Sequence, residues 1–384
     1  MQHLFRPVRA LLSRFHQPWV VTACAGVIAA LLAGLAVEIF GRVLEQTAAS
    51  ERELAGLASV TRLRDVLQPL QEHRGLDNAI LLGDPGLERR RMASEAKVDA
   101  AFAALLAPTA LPSAYTAEAV AMRDTWNRLK DAIGDLDRFE QHSALIDRQL
   151  QLARRIIDDS GLSLDADAGT YHLIGTLDVM LGFTLERAAQ LRGLYTAMLA
   201  SNGANLRLRG EVVMCATALD DERKLVSHHV AALLRYRPDL AAELGELPAR
   251  LEQTTRVLRR LVREHVVAPG SELASESFFN QASIAIGDSY ALFDRTVGLA
   301  ERSLRARLTR LQQQFALHLA GMLALTLAIL YLFIGIVVSV RASRRATDEL
   351  ARSEALFRNV LDTLPVGVGI TDAEGHILSI NPAG

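Results

Sequence analysis

Two long runs without a charged side chain constrain this sequence more than any other feature. The first covers residues 19–37 and reads WVVTACAGVIAALLAGLAV, and the second covers residues 315–340 and reads FALHLAGMLALTLAILYLFIGIVVSV. A helix rises about 1.5 Å per residue and needs about 20 apolar residues to cross a bilayer, so each run is long enough. We therefore predict two transmembrane helices, at residues 19–40 and 315–340.

Each run also has an alternative interpretation. Arginines precede the first run and Gly34-Leu35-Ala36 lies near its end, which is also the pattern of a cleaved signal peptide. The apolar stretch of such peptides is about 7–15 residues long, so this longer run favours an uncleaved span. The second run could instead be a buried core helix, but about twenty consecutive apolar residues favour a membrane helix.

Arginines beside the two runs indicate their orientation, because short cytoplasmic flanks are enriched in Lys and Arg. The residues concerned are Arg6, Arg9 and Arg14 before the first run and Arg341, Arg344 and Arg345 after the second. The sequence therefore places residues 1–18 and the chain after residue 340 in the cytoplasm, and residues 41–314 on the other side. Four arginines at positions 302–310 lie on that outer side, in a long translocated region where the rule has little force.

Composition narrows the classes of function. The net charge is −2 and no basic residues are clustered as nucleic-acid binding requires, so no nucleic-acid partner is predicted. Cys24 lies in the first apolar run, so a disulfide with Cys215 is not expected. Adjacent His228 and His229 point to different faces of a helix and make a poor chelate. We predict no metal site, no cofactor and no catalytic residue in this chain.

Residues 41–314 carry the periodicity of helices. Apolar side chains recur every three or four residues, and Pro and Gly delimit helices over about 38–83, 87–107, 115–160, 169–202, 204–237, 248–267 and 272–312. The last helix is predicted to continue unbroken into the second span. Long helices joined by short loops are typical of antiparallel bundles. The predicted fold class is mainly α, with an elongated helical-bundle ectodomain between two transmembrane helices.

One segment of this region occurs twice. EHRGLDNAILLGD at residues 72–84 aligns with QLRGLYTAMLASN at residues 190–202, which pairs Arg74 with Arg192 and Gly75 with Gly193. A repeat of this kind predicts two stacked bundles of the four-helix type. A glycine inside a helix costs about 1 kcal/mol relative to alanine, so its recurrence indicates a close backbone approach or a bound ligand.

Arginine beside each glycine offers a planar, permanently charged fork for a carboxylate, nitrate or another oxyanion. The candidate ligand-binding residues are therefore Arg74, Arg192, Gly75 and Gly193. In the alternative, each arginine pairs with an acid of the bundle and each glycine accommodates a helix crossing. Tyr171 could reach a ligand from the loop before it, although packing inside the bundle is the alternative there too.

The repeated segment also resembles a known family. LQEHRGLDNAILLGD resembles the Q-x-x-R-G-L helix of nitrate/nitrite-sensing (NIT-type) and related helical bimodular sensor domains, although His73 stands where that family more often has an acid. SGLSLDADAGTYHLIGTLD, at residues 160–178, resembles a segment of periplasmic helical domains in bacterial kinases and diguanylate cyclases. The resemblance implies ligand-binding arginines at Arg74 and Arg192, a bacterial inner-membrane location with residues 41–314 in the periplasm, and a homodimer.

The chain after the second span is predicted to form a connector helix, residues 341–363, followed by a β-hairpin with strands at 366–371 and 376–380. Residues 353–383 resemble the opening of a PAS domain, so residues 364–384 are predicted to be its incomplete start and the sequence is expected to be a fragment. These resemblances imply a membrane sensor that detects a small extracytoplasmic ligand, such as an anion, and controls an output domain. A histidine kinase is favoured; a cyclic-di-GMP cyclase or phosphodiesterase and a non-enzymatic chemoreceptor-type receptor are the alternatives. A third class is an extracytoplasmic scaffold that binds no small ligand.

Overall fold

The computed structural model of the chain describes residues 18–81, 85–131, 137–165, 167–200, 206–264, 275–363, 365–374 and 376–380. The N-terminal arginines used to predict the orientation lie outside this part. Over the described residues the protein is mainly α-helical, as predicted.

The helices and strands follow the chain with short 3₁₀ turns between some of them. The helices are α1 (Pro18–Leu81), α2 (Glu88–Leu105), α3 (Ser113–Asp131), α4 (Arg138–Asp159), α5 (Ala168–Val179), α6 (Leu185–Ala200), α7 (Leu206–Tyr236), α8 (Ala241–Leu244), α9 (Leu247–Val262) and α10 (Ser275–Thr363). The strands are β1 (Gly369–Thr371) and β2 (Ile377–Ile380). A five-residue π turn, Met180–Thr184, joins α5 to α6.

Helices α1 and α10 contain the two apolar runs. Each has a stretch long and apolar enough to cross a membrane, and only 6% and 11% of the residues in these stretches are buried. A core helix of a soluble domain would bury its apolar residues, so the exposure distinguishes these stretches from such a helix. Helix α10 runs without a break from Ser275 through the second apolar run to Thr363, which confirms the predicted continuity.

One helix prediction was wrong. The single helix expected over residues 115–160 is two helices, α3 and α4, which pack against each other. The Arg138 guanidinium at the start of α4 donates to the carbonyl of Leu129 near the end of α3, at 3.2 Å. The sequence between them contains Gly134, which lowers the helical preference of a segment that periodicity alone would continue.

The described residues within Glu45–Gln312 form one compact unit, and those within Met1–Leu44 and Gln313–Gly384 form another. In the first unit α3 packs on α2 and α4, and α7 packs on α5, α6 and α9. Its core includes buried Leu67, Phe102, Trp126, Leu191 and Phe293. Helix α10 lies beside α1 there, because Arg64 of α1 forms a 2.7 Å ion pair with Asp294 of α10.

The two short strands of the other unit pair in antiparallel fashion, with Gly369 opposite Ile380. The Asp372 carboxylate accepts hydrogen bonds from the backbone N–H groups of Glu374 and His376, at 3.1 and 2.8 Å. Such a side-chain bond two residues ahead stabilises a tight turn. The predicted β-hairpin is confirmed.

Two glycines give a matched test of the packing. A Cβ on Gly56 of α1 would lie 2.5 Å from the Cβ of Ser160, whereas a Cβ on Gly298 of α10 would meet nothing within 4 Å. We expect Gly56→Ala to lower the free energy of unfolding by about 1–3 kcal/mol through overpacking. Gly298→Ala should raise it by up to about 1 kcal/mol, because alanine favours the helix. Thermal unfolding of both variants checks this, and equal shifts in melting temperature would contradict it.

Candidate functional site

The two copies of the repeated segment lie against each other, one on α1 and one on α6. A Cβ on Gly75 would lie 3.3 Å from Nη2 of Arg192, so the absent side chain lets this guanidinium approach the α1 backbone. A Cβ on Gly193 would lie 2.9 Å from the ring of Phe139, and the Arg74 guanidinium lies 5.0 Å from the centre of that same ring. Both glycines therefore allow close approach, and four of the predicted site residues come together.

Arg74 is held in a buried ion pair. Its Nη1 lies 2.6 Å from Oε1 of Glu186, and its Nη2 donates to Oε2 at 3.3 Å. Nη1 also donates to the hydroxyl of Ser143, at 2.9 Å. The side chains of Arg74 and Glu186 are 1% and 4% exposed, so little water reaches either charge. The pairing of an arginine with an acid of the bundle, left open by the sequence, is the arrangement found for Arg74.

The π turn determines which face of α6 carries Glu186. The N–H of Leu185 donates to the carbonyl of Met180, five residues back, and Arg154 donates to the carbonyl of Gly182 at 3.1 Å. A π turn inserts one residue into the helix and so rotates the residues that follow, and such turns are frequent at functional sites. Glu186 is the second residue after this turn, so the rotation acts on the carboxylate that pairs with Arg74.

Arg192 lines a small cavity. Its Nη1 donates to the hydroxyl of Ser283 at 3.3 Å, and its guanidinium lies 5.0 Å from the ring centre of Phe279. The cavity has a volume of about 220 Å³ and is lined by Gln68, Gln71, Glu72, Gly75, Leu76, Arg90, Arg192, Phe279, Ser283, Ile286 and Gly287. The volume of the cavity is several times the ~30 Å³ that one water molecule occupies in the liquid. It is smaller than the roughly 300 Å³ at which pockets for drug-sized ligands begin.

The electrostatic environment of Arg192 differs from that of Arg74. Burial, and secondly the charge of Arg74, lower the pKa of Arg192 to about 10. The guanidinium stays protonated at neutral pH, but in the folded protein its charged form is disfavoured relative to water. An anion in the cavity would offset that cost.

A chain of buried hydrogen bonds connects Arg74 to α10. The Tyr290 hydroxyl donates to Oε1 of Gln71 at 2.8 Å, and Nε2 of Gln71 donates to Oε2 of Glu186 at 2.8 Å. Glu186 in turn accepts from Arg74. Arg192 contacts the same helix directly, through Ser283 and Phe279. Both arginines of the repeat are therefore linked to α10.

Sequence reasoning missed most of these partners. Gln71 lies inside the quoted motif and Glu186 lies four residues before the quoted second copy, but neither was assigned a role. Tyr290 and Ser283 come from a distant helix without a motif. Tyr171 is not among the residues that line the cavity: it is 44% exposed, and its ring lies edge-on to His172 at 5.1 Å.

A pair of buried histidines lies beside Arg74. The rings of His73 and His142 are 5.2 Å apart, and Trp126 lies edge-on to His73 at 4.7 Å. Burial is the main reason that the pKa of His73 falls to about 3 and that of His142 to about 4. Both rings are therefore neutral at physiological pH, and the position next to Arg74 adds no positive charge to the site.

Metal binding by a cluster of side chains and thiol chemistry find little support in the described part of the chain. It contains no group of three or more His, Cys, Asp or Glu residues arranged to hold a metal ion. Cys215 is buried, and burial raises the pKa of its thiol to about 12, so the reactive thiolate is disfavoured.

Comparisons with known proteins give one likeness of fold. No protein-family model and no curated protein matches the chain. The solved structure of the NasR transcription antiterminator superposes with a TM-score of 0.51 and 19% sequence identity. The match covers 85% of this chain and 89% of that one. A likeness at this identity indicates a shared fold alone.

Two buried tyrosines test the hydrogen-bond chain. Tyr290→Phe removes the donor to Gln71 and should lower the free energy of unfolding by about 1–3 kcal/mol. Tyr195 is equally buried, but its hydroxyl has no hydrogen-bond partner among the described residues. Tyr195→Phe should therefore be neutral or stabilising. Thermal unfolding of the two variants is the measurement, and an equal loss in both would show that the bond to Gln71 contributes nothing.

The buried histidines predict a loss of stability in acid. In the unfolded chain each imidazole has a pKa of about 6.5, well above the values of about 3 and about 4 in the fold. The unfolded chain therefore binds more protons below pH 6.5, and each ring lowers the free energy of unfolding by up to about 1.4 kcal/mol per pH unit.

Melting temperatures between pH 7 and pH 5 test this expectation. His73→Phe should show a weaker dependence on pH than the wild type. His376→Ala, which removes an exposed imidazole, should retain the full dependence. If the change of melting temperature with pH is the same in His73→Phe as in the wild type, the lowered pKa assigned to His73 is contradicted.

Proposed function

We propose that this protein is the input half of a bacterial membrane sensor that binds a small oxyanion beside Arg192. The cavity next to this guanidinium is the observation that carries the proposal. The wall contributes the Arg192 fork and the Ser283 hydroxyl, both of which can donate to an oxyanion. The volume of about 220 Å³ suits a small anion with a few waters better than a bulky metabolite.

The charge of the site favours an anion over a neutral ligand. The ion pair with Glu186 satisfies Arg74, and Arg90 adds a further exposed cation at the cavity wall. Glu72 is the one acid among the lining residues, and Lys97 lies 3.3 Å from its carboxylate. A bound anion would therefore meet mainly positive charge. Nitrate, nitrite and short carboxylates are the ligand classes that fit.

The contacts of Arg192 supply a route for the signal. A ligand that draws the guanidinium away from Ser283 and Phe279 changes the contacts of α10, the helix that also contains the second apolar run. The hydrogen-bond chain through Gln71 and Tyr290 gives α10 a second link to the same site. A ligand acts by preferring one of two arrangements of such a helix.

The remaining parts of the proposal concern the membrane helices, the ectodomain and the hairpin. Residues 19–40 and 315–340 cross the bacterial inner membrane, both termini face the cytoplasm, and residues 41–314 form two stacked bundles in the periplasm of a homodimer. The resemblance of the repeated segment at residues 72–84 and 190–202 to NIT-type domains is what supports a helical sensor of that type. The exposed hairpin β1–β2 supports a PAS start. A histidine kinase is the proposed output; a cyclic-di-GMP enzyme and a chemoreceptor-type receptor are the alternatives.

Calorimetric titration of the full chain in nanodiscs with nitrate, nitrite, acetate and amino acids tests the site. We expect saturable binding of one anion class. Arg192→Gln should weaken it at least tenfold, a loss of about 1.4 kcal/mol, because the charge and the fork disappear together. Arg192→Lys keeps the charge but not the fork, and should weaken binding less.

The matched control is Arg256→Gln on α9, which removes an exposed arginine that is not among the residues lining the cavity. This variant should bind like the wild type. Unchanged affinity in Arg192→Gln, or the absence of saturable binding by any anion of the panel in a folded protein, would overturn the proposal.

A further inference from the structure

Two histidines meet on the part of the first unit formed by α5 and α7. Nδ1 of His172 on α5 lies 3.3 Å from Nδ1 of His229 on α7. Neither residue lines the arginine cavity. They are 57 residues apart in the chain, so no ligand spacing in the sequence points to them.

Packing fixes the position of both rings. A Cβ on Gly175 would lie 2.5 Å from Cε1 and 2.6 Å from Nδ1 of His229, so this imidazole rests directly on the α5 backbone. The ring of His172 is stacked on Tyr236 with centres 5.7 Å apart and planes 18° apart. Tyr171 contacts its edge. The surrounding residues therefore hold the two nitrogens in place, which is what a preorganised pair of ligands requires.

The separation matches the coordination geometry of a metal ion. Zinc binds imidazole nitrogen at about 2.0–2.1 Å, and two ligands of a tetrahedral shell at that distance lie about 3.3 Å apart. Without an ion, the same distance corresponds to a long hydrogen bond between the two rings. Both rings are partly exposed, so water can reach an ion between them and complete its shell.

The protonation state also suits a ligand role. Burial, followed by the charges of neighbouring histidines, lowers the pKa of both His172 and His229. Both rings are then neutral at pH 7, and a neutral imidazole is the form that binds a metal. Arg235 is a permanently charged group near the pair, and it opposes an ion only weakly because it is exposed.

We propose that His172 and His229 form a binding site for a divalent transition-metal ion of the zinc class, with water in the remaining positions. The ion would connect α5 to α7, which pack against each other. Imidazole is the ligand that suits Zn²⁺, Cu²⁺ and Ni²⁺, whereas Mg²⁺ and Ca²⁺ prefer oxygen. This site is separate from the proposed anion site and does not depend on it.

The test is a titration of the tag-free, full-length protein in nanodiscs with Zn²⁺, followed by calorimetry and by melting temperature. We expect one ion per chain and a rise in melting temperature that EDTA reverses. His172→Ala and His229→Ala should each weaken binding at least tenfold. Mg²⁺ at the same concentration should give neither effect.

His228→Ala is the matched control, because it removes an exposed imidazole next to His229 on the same helix. It should bind Zn²⁺ within about twofold of the wild type, a difference below about 0.4 kcal/mol. Circular dichroism establishes that each variant retains its helices. No saturable binding by the wild type, unchanged binding in the His172→Ala, His229→Ala double variant, or an equal loss in His228→Ala would overturn the site.

Discussion

The ion pair between Arg74 and Glu186 is the interaction on which the centre of the structure depends. Both charges lie in the interior, and a buried ion is tolerated only with a partner and with its remaining hydrogen bonds satisfied. Glu186 accepts from Arg74 and Gln71, and Arg74 also donates to Ser143. Removal of either charge would leave the other uncompensated, at a cost of about 3–5 kcal/mol. The pair therefore fixes how α1, α4 and α6 meet.

The ion pair also makes the two copies of the repeat unequal. Arg74 has its own acid, and Gly193 leaves room for the Phe139 ring that lies against it. Arg192 contacts the Ser283 hydroxyl and the Phe279 ring, and it lines the cavity. The arginine of the first copy is therefore held in a buried ion pair, whereas the arginine of the second copy lies at a cavity wall. The sequence offers both arginines as equivalent ligand-binding candidates, but their surroundings in the fold differ.

The helices and the hairpin were predictable because periodicity and turn residues act locally. The continuity of α10 followed from the lack of Pro or Gly between Arg310 and Leu317, whereas the break between α3 and α4 was missed because Gly134 alone is an ambiguous signal. The repeat identified Arg74 and Arg192. Their partners Tyr290 and Ser283 could not be found, since tertiary packing alone brings α10 beside them. Tyr171 was included because it lies next to the loop before α5, which does not determine the surface that it faces.

The same packing suggests why α10 would respond to the arginine site in steps rather than gradually. Gln71 uses its carbonyl oxygen for Tyr290 and its amide N–H for Glu186, so the two bonds depend on one side chain. A small displacement of α10 would leave a buried donor or acceptor unpaired, at about 1–3 kcal/mol for each group. Intermediate positions of α10 are therefore disfavoured. The helix would occupy either the arrangement with both hydrogen bonds of Gln71 formed or one in which other hydrogen bonds replace both. A ligand at Arg192 needs only a modest preference between two such arrangements to change their populations.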